Sequence, residues 1–351
     1  MVTTDLIVFT IALLGSLLLT VPIRELALRY GMVDLPGPRK VHVKPVPLLG
    51  GIAIYLAFII AILATHEVAP ERQIIAIVSG ATLLALVGFL DDRGLLHHQV
   101  KLFAAMPAAA AVLVASGIRA HPFSHFIPGT ASAVLDVCFT ILWVVGITAA
   151  FSILDHMDGL CAGIAAIAAA YFTVAAVLGG QTMVRTLGAA VMGAALGFLC
   201  WNFNPAKIFM GDGGAMFLGF LMATLGLKTR PVAADFRAGW LVPILILGVP
   251  IFDTTLVSIS RARRGLLPFT SPGKDHTAHR LSNLGLGHRG AVLAMYCMAA
   301  LYGGLALLVL RVSPIKAYTL AAVLVLGGLA AVLFLENVPY ERQVKPQKPS
   351  S

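Results

Sequence analysis

The sequence predicts an all-α integral membrane protein, a polytopic bundle of about 11 transmembrane helices, and three observations support this fold class. Of the 351 residues, 59% are hydrophobic and 12% are charged, and the mean hydropathy is +0.91, which is too apolar for an ordinary water-soluble protein. Apolar stretches of about 20 residues recur along the chain, and that length spans a bilayer core as a helix. A helix also satisfies its own backbone hydrogen bonds in lipid.

Each apolar stretch is assigned one helix, in chain order. Strands of a membrane barrel would be about half as long, so the lengths favour helices. Runs of small residues at 104–111 and 161–170 allow helix backbones to approach closely, as membrane bundles require. The predicted helices cover residues 5–27, 48–66, 72–90, 102–118, 134–154, 160–179, 184–201, 213–228, 239–259, 291–311 and 316–335.

Basic residues predict the orientation of the bundle. Seventeen Lys and Arg side chains lie in odd-numbered connections or the C-terminal tail and eight in even-numbered ones, which places the odd connections in the cytoplasm and the N-terminus outside. The first segment has no basic residue before Arg24 and no cleavage pattern after it, so it is expected to be a retained helix. Residues 1–335 are expected to form a single membrane domain, and 336–351 a polar, disordered cytoplasmic tail.

An adjacent acidic pair, Asp91 and Asp92, closes the third segment at its inner boundary. Neighbouring carboxylates repel each other and are costly to desolvate, so a compensating group is expected. A divalent cation, a proton taken from a phosphate, or Lys101 on the following helix would each compensate. A solvated helix end is the alternative interpretation.

Two further acidic stretches follow inner segment ends. Asp155 and Asp158 are three residues apart, hence on one face of a helical turn, and can bind Mg²⁺ through water or hold the hydroxyls and base of a nucleotide. Asp212 stands among glycines at the start of the eighth segment, where a helix N-terminus favours anions. It is a candidate metal ligand, and a plain N-cap is the alternative.

The ninth connection gathers five cations and two histidines between Arg261 and Arg280. His276 and His279 have a spacing that could bind Zn²⁺, but the sequence places no third ligand nearby, so contact with phosphate is favoured. A loop facing lipid headgroups is the alternative. Asp253, at the inner end of the preceding segment, is expected to anchor an arginine of this loop. Nearly all these acids fall on one side, so an active site is predicted at the cytoplasmic face.

Taken together, these motifs resemble those of the polyprenyl-phosphate N-acetylhexosamine-1-phosphate transferases, of the glycosyltransferase family 4 type. The His-x-x-His-Arg pattern and the number of segments are most similar to the undecaprenyl-phosphate GlcNAc-1-phosphate transferase branch. The resemblance spans most of the chain. It rests on the stretches 34–51, Asp91-Asp92-Arg93 with Lys101-Leu102, 155–160, 202–219, 250–254, Asp275-His276 and His279-Arg280-Leu281.

The resemblance implies a bacterial inner-membrane enzyme that transfers a sugar-1-phosphate, GlcNAc-1-phosphate first among them, from a UDP-N-acetylhexosamine to undecaprenyl phosphate and releases UMP. It implies that the enzyme uses Mg²⁺ as a cofactor, with Mn²⁺ as an alternative. It also implies that the reaction is the first membrane step in the synthesis of an envelope glycan such as lipopolysaccharide. A homodimer stays open, and no nucleic-acid partner is expected. The implied roles are catalysis by Asp91 and Asp92, metal binding by Asp212, and substrate binding by Asp155, Asp158, Lys101, His276, His279 and Arg280.

One stretch departs from the family pattern. Ala149, Ser152 and His156 stand where the family carries amide side chains or a small residue before Asp158. Ser152 keeps an oxygen that could ligate Mg²⁺ weakly, whereas Ala149 has no polar group. A changed donor or a catalytically degenerate homologue is therefore one alternative, and a membrane transporter is another. A transporter would place its charges near the bilayer midplane at helix breaks of repeated halves, a pattern the sequence does not show.

Overall fold

The computed structural model describes residues 2–35, 45–65, 72–96, 98–124, 127, 129–230, 238–266 and 273–338. These residues form a bundle of α-helices, which confirms the predicted all-α polytopic membrane fold. Seven helices are long and apolar enough to cross a membrane, and two apolar helices, Gly50–Ala64 and Lys101–Ala115, are shorter. Residues 339–351 of the predicted tail lie outside the described residues.

Fourteen helices are described along the chain, together with two π-helical turns and two short strands. Two π-helical turns, Lys101–Ala105 and Ser282–Leu286, join neighbouring helices. Two short strands, β1 Val33–Asp34 and β2 Val46–Pro47, pair antiparallel. The helices are α1 Val2–Arg29, α2 Gly50–Ala64, α3 Arg72–Asp92, α4 His98–Val100, α5 Met106–Ala115, α6 Thr130–Leu154, α7 Leu160–Leu178, α8 Thr182–Asn202, α9 Gly211–Lys228, α10 Leu241–Ile246, α11 Gly248–Arg263, α12 Thr277–Leu281, α13 Gly287–Val309 and α14 Pro314–Glu336.

Each of the eleven predicted segments contains a helix, but the ninth is broken. The stretch predicted as one helix, 239–259, divides at Leu247 into α10 and α11. Pro250 explains the break, because proline has no N–H to donate to the carbonyl of Ile246 and its ring clashes with that carbonyl. The predicted crossings beyond the seven long helices are helices that are shorter or less apolar.

Helix α9 lies at the centre of the bundle and is buried over nearly its whole length against α2, α3 and α6. Glycines make this close packing possible at its N-terminus. A Cβ on Gly88 of α3 would lie 2.5 Å from the Cα of Gly213, and one on Gly51 of α2 would collide with the backbone N of Gly214. The start of α9 is therefore fixed between two other helix backbones.

We expect Gly88→Ala to destabilise the protein by about 1–3 kcal/mol, because two backbones would have to separate to admit the methyl group. Gly146→Ala is the matched control, since nothing lies within 4 Å of a Cβ at this exposed position of α6 and alanine favours a helix. The thermal unfolding midpoint in detergent measures both. Equal midpoints for the two variants would contradict the close packing of α3 on α9.

Candidate functional site

Helix α3 ends in two carboxylates, those of Asp91 and Asp92, which lie near the start of α9. Both oxygens of Asp92 accept backbone N–H groups: Oδ1 from Asp212 at 2.8 Å and Oδ2 from Gly213 at 3.3 Å. The first N–H groups of a helix have no partner within the helix, and its dipole favours a negative charge there. Asp92 thus caps α9 and fixes the position of Asp212.

A lysine lies between two of the acids. The Nζ of Lys101, in the turn before α5, donates to Oδ2 of Asp91 at 2.6 Å and also to Oδ2 of Asp212. All three side chains are largely buried. The sequence named Lys101 as one of three compensating groups for the acidic pair, and the structure gives it Asp91 and the distant Asp212 as partners.

Helix α6 adds a hydroxyl and another acid to this group. Ser152 Oγ donates to Oδ1 of Asp212 at 2.8 Å, so the serine at one of the departing family positions keeps a polar contact. Asp155 follows the last turn of α6. Burial, together with the negative charges of Asp212, Asp92 and Asp158, raises the pKa of Asp155 to about 8.

The donor set of this acidic group fits a hard divalent cation. Lys101 contacts the carboxylates of Asp91 and Asp212, and Asp92 binds the backbone at the start of α9. Asp155 lies close enough to Asp92 and Asp212 for their charges to add to the effect of burial on its pKa. Carboxylate and hydroxyl oxygens are the ligands that Mg²⁺ prefers. A divalent cation here would neutralise charge that Lys101 alone leaves unbalanced.

Asp158 forms its hydrogen bonds with a neighbouring loop and not with the other acidic side chains. Its Oδ2 accepts the side-chain amide of Asn204 at 2.9 Å and the N–H of Ala206 at 3.0 Å. Nearby, Asn202 accepts the N–H of Gly159 and donates to the carbonyl of Ile208, each at 3.0 Å. These bonds join loop 155–159 to loop 203–210, which leads into α9. The sequence showed both loops but not their pairing.

Three histidine rings form a second group beside the first. The rings of His156 and His276 stack, with centroids 3.9 Å apart and planes 22° apart, and the His279 centroid lies 4.9 Å from His156. Asp253 holds this group, because its Oδ2 lies 3.0 Å from Nδ1 of His276 and its Oδ1 accepts the N–H of Thr277 at 2.7 Å. The expectation that Asp253 would anchor an arginine was wrong.

His156 is the site residue that the sequence treated only as a departure from the family. Its Nδ1 lies 3.1 Å from the carbonyl of Ile153, and its Nε2 is buried with no hydrogen-bond partner. Burial, reinforced by the neighbouring His276 and His279 and opposed by Asp253, holds the pKa of His156 well below its ordinary value. Its position between Asp155 and Asp158 was the available signal.

Arg280 is fully buried, and its guanidinium is bound by protein groups. Its Nη2 donates to Ser260 Oγ at 2.9 Å and to Glu336 at 2.7 Å, and its Nη1 to the carbonyl of Leu335 at 2.5 Å. From the sequence, this side chain was predicted to contact the phosphates of the substrate. In the structure it joins α11 and α12 to α14 instead.

Asp275 anchors the same loop through two arginines. It accepts from Arg261 Nε and Nη2 at 3.0 Å each, and from Arg264. Burial opposes the charge of Asp275, but the hydrogen bonds and charges of these arginines outweigh it and lower the pKa to about 2. Two of the five cations in this connection are thereby engaged by an acid of their own loop.

The structure therefore brings most of the named residues into two adjoining groups connected by loop 155–159. The acidic group contains Asp91, Asp92, Lys101, Ser152, Asp155 and Asp212, and the histidine group contains His156, Asp253, His276 and His279. Asp158 and Arg280 hold neighbouring loops and helices. Ala149 is buried in α6.

Comparisons with known proteins agree on one family. The model of the family described as Glycosyl transferase family 4 matches residues 74–230. A probable undecaprenyl-phosphate N-acetylglucosaminyl 1-phosphate transferase of Bacillus subtilis (strain 168) is 37% identical over 84% of this chain and 82% of its own length. A decaprenyl-phosphate N-acetylglucosaminephosphotransferase of Mycolicibacterium smegmatis is 34% identical over 78% of this chain and 74% of its own. The undecaprenyl-phosphate alpha-N-acetylglucosaminyl 1-phosphate transferase of Escherichia coli (strain K12) is 28% identical over 81% of this chain and 78% of its own length.

Proposed function

The chain belongs to the polyprenyl-phosphate N-acetylhexosamine-1-phosphate transferases of glycosyl transferase family 4, and from this premise we propose that it transfers GlcNAc-1-phosphate from UDP-GlcNAc to undecaprenyl phosphate. An oxygen of the lipid phosphate attacks the β-phosphorus of the donor. The bond from that phosphorus to the bridging oxygen breaks, and UMP leaves. The lipid product carries a pyrophosphate-linked sugar.

The observation that carries this proposal is the convergence on Asp212. Residues from α3, from the turn before α5 and from α6 all contact its side chain or its backbone N–H. Phosphoryl transfer depends mainly on positioning and charge neutralisation, which a rigid group of carboxylates and one lysine supplies. This group lies at the ends of long apolar helices, where the phosphate of a membrane lipid can approach it.

The residues fit a bound Mg²⁺, or Mn²⁺ in its place, which Asp212 would hold with help from Ser152. When bound, the cation would neutralise the donor pyrophosphate. Asp92 serves to position α9, since both of its oxygens accept backbone N–H groups. Asp91, whose partner is a side chain, is the better placed of the pair to accept a proton from the lipid phosphate.

The remaining roles follow from the two groups. Lys101 keeps Asp91 and Asp212 together and offers a cation to a donor phosphate. Asp155 and the loop held by Asp158 contact the nucleotide-sugar, while His276 and His279 contact its phosphates. The bacterial relatives support a location in the bacterial inner membrane, and the distribution of Lys and Arg supports placing this site in the cytoplasm. The reaction would then be the first membrane step of an envelope glycan.

A donor panel tests the proposal. Purified protein with undecaprenyl phosphate and Mg²⁺ is supplied in turn with UDP-GlcNAc, UDP-GalNAc and UDP-MurNAc-pentapeptide, and UMP release is measured. We expect the fastest release with UDP-GlcNAc and loss of release when EDTA removes divalent cations. Absence of UMP with every donor would reject the proposed function. Release from another donor with none from UDP-GlcNAc would keep the reaction class and correct the sugar.

A further inference from the structure

The histidine group contains a ring that joins the other two. The centroids of His276 and His279 are 6.2 Å apart, whereas His156 lies 3.9 Å from the first and 4.9 Å from the second. His156 comes from loop 155–159 after α6, and the other two come from the start of α12, more than a hundred residues later. The ring of His156 is thus the aromatic contact between the two loops that meet at the site.

His156 and His276 are each held from another side. Asp253 holds Nδ1 of His276 from α11, and the carbonyl of Ile153 holds Nδ1 of His156 from α6. Since both Nδ1 atoms are engaged, neither ring can rotate freely. His276 is therefore confined between the carboxylate of Asp253 on its edge and the ring of His156 on its face.

The group of His156, Asp253 and His276 is compact enough to suggest a metal site, because its candidate ligand atoms lie within 4.8 Å of one another. The ring planes argue against that interpretation. Nitrogen lone pairs lie in the plane of an imidazole, and two stacked rings only 22° from parallel keep them in separate, nearly parallel planes that do not meet at one ion near both rings. The geometry is that of a stack.

We propose that His156 is a positioning residue for donor binding, whose ring orients the imidazoles of His276 and His279 toward the phosphates of the nucleotide-sugar. This inference rests on the proposed function, because it assigns those histidines to the donor. It concerns a residue in which this chain departs from the family pattern. A stacked ring contributes through its face, so an aromatic ring without nitrogen should replace it.

The test compares three variants for UDP-GlcNAc affinity, measured by calorimetry in detergent with Mg²⁺, and for the KM values of donor and lipid. His156→Ala removes the ring, His156→Asn keeps a polar group without the ring, and His156→Phe keeps a ring. We expect Ala and Asn to weaken donor affinity about tenfold, as the loss of an aromatic pair allows. The lipid KM should change less than about twofold, and Phe should restore the donor affinity to within about threefold.

His121→Ala is the control. The Nδ1 of His121 lies 3.5 Å from Oδ2 of Asp136, near the other end of α6 from Ser152. We expect donor affinity to stay unchanged in this variant.

Three results would overturn the inference. The first is unchanged donor affinity in both His156→Ala and His156→Asn. The second is a Phe variant as weak as Ala, and the third is a donor affinity that requires Zn²⁺ together with His156. If the wild type binds UDP-GlcNAc but releases no UMP, the proposed transfer fails while the affinities still decide the role of His156.

Discussion

Asp212→Asn is expected to lower the rate of UMP release about 10³-fold or more while the protein stays folded. Asparagine has nearly the shape of aspartate and can still accept the hydrogen bond from Ser152 Oγ. It removes the negative charge that Lys101 contacts and that a divalent cation requires. Steady-state UMP release and the thermal unfolding midpoint, measured on the same preparation, check the two parts of the expectation.

Asp136→Asn is the control for this substitution. Asp136 is also a buried carboxylate with hydrogen bonds, from the N–H of Phe123 at 2.9 Å and from Ser124, but it lies near the other end of α6 from Ser152. Its loss should affect stability more than turnover. If Asp212→Asn kept even a tenth of the wild-type rate, Asp212 would not be the centre of the reaction.

Arg280→Ala is expected to produce the largest loss of stability, about 3–5 kcal/mol, because it removes the buried guanidinium that binds a largely buried acid and a backbone carbonyl. The groups left behind are Glu336 and the carbonyl of Leu335, at the end of α14. Arg280→Lys should recover only part of this, since one ammonium cannot reproduce the planar fork of donors. Thermal unfolding of both variants in detergent gives the measurement.

Arg263→Ala provides the comparison for Arg280. This arginine is 62% exposed and lies 3.6 Å from the other oxygen of Glu336, and exposed ion pairs contribute little to stability. Unfolding midpoints near that of the wild type are expected for it. If Arg280→Ala instead unfolded like the wild type and only raised the donor KM, the arginine would contact substrate as the sequence suggested.

The sequence succeeded best where a property repeats along the chain. Apolar stretches predicted each helix, and the motif around Asp91, Asp155 and Asp212 indicated the family that the relatives confirm. It did less well with single side chains. His156 counted only as a missing amide, although its ring proved to contact both histidines of a distant loop.

Asp92 and Asp158 show why such roles escape sequence reasoning. Asp92 ends α3 and Asp158 lies in the loop after α6, and both were expected near substrate. Asp92 caps α9 through two backbone N–H groups. Asp158 accepts the side-chain amide of Asn204 and the backbone N–H of Ala206. The location of an unpaired donor depends on where distant segments of the chain cross.

By itself, the sequence determined that this protein is a helical membrane bundle of one transferase family with acidic motifs in alternate connections. Hydrophobicity and motif spacing are local properties of the sequence, so they can be recognised without knowledge of the fold. Only the tertiary structure decided that Lys101 lies between Asp91 and Asp212, and that Arg280 is buried beneath α14. The physical reason is that Asp212 is far from Lys101 in sequence, as the end of α14 is from Arg280, and the packing of α9 against α3 and α6 brings the acidic group together.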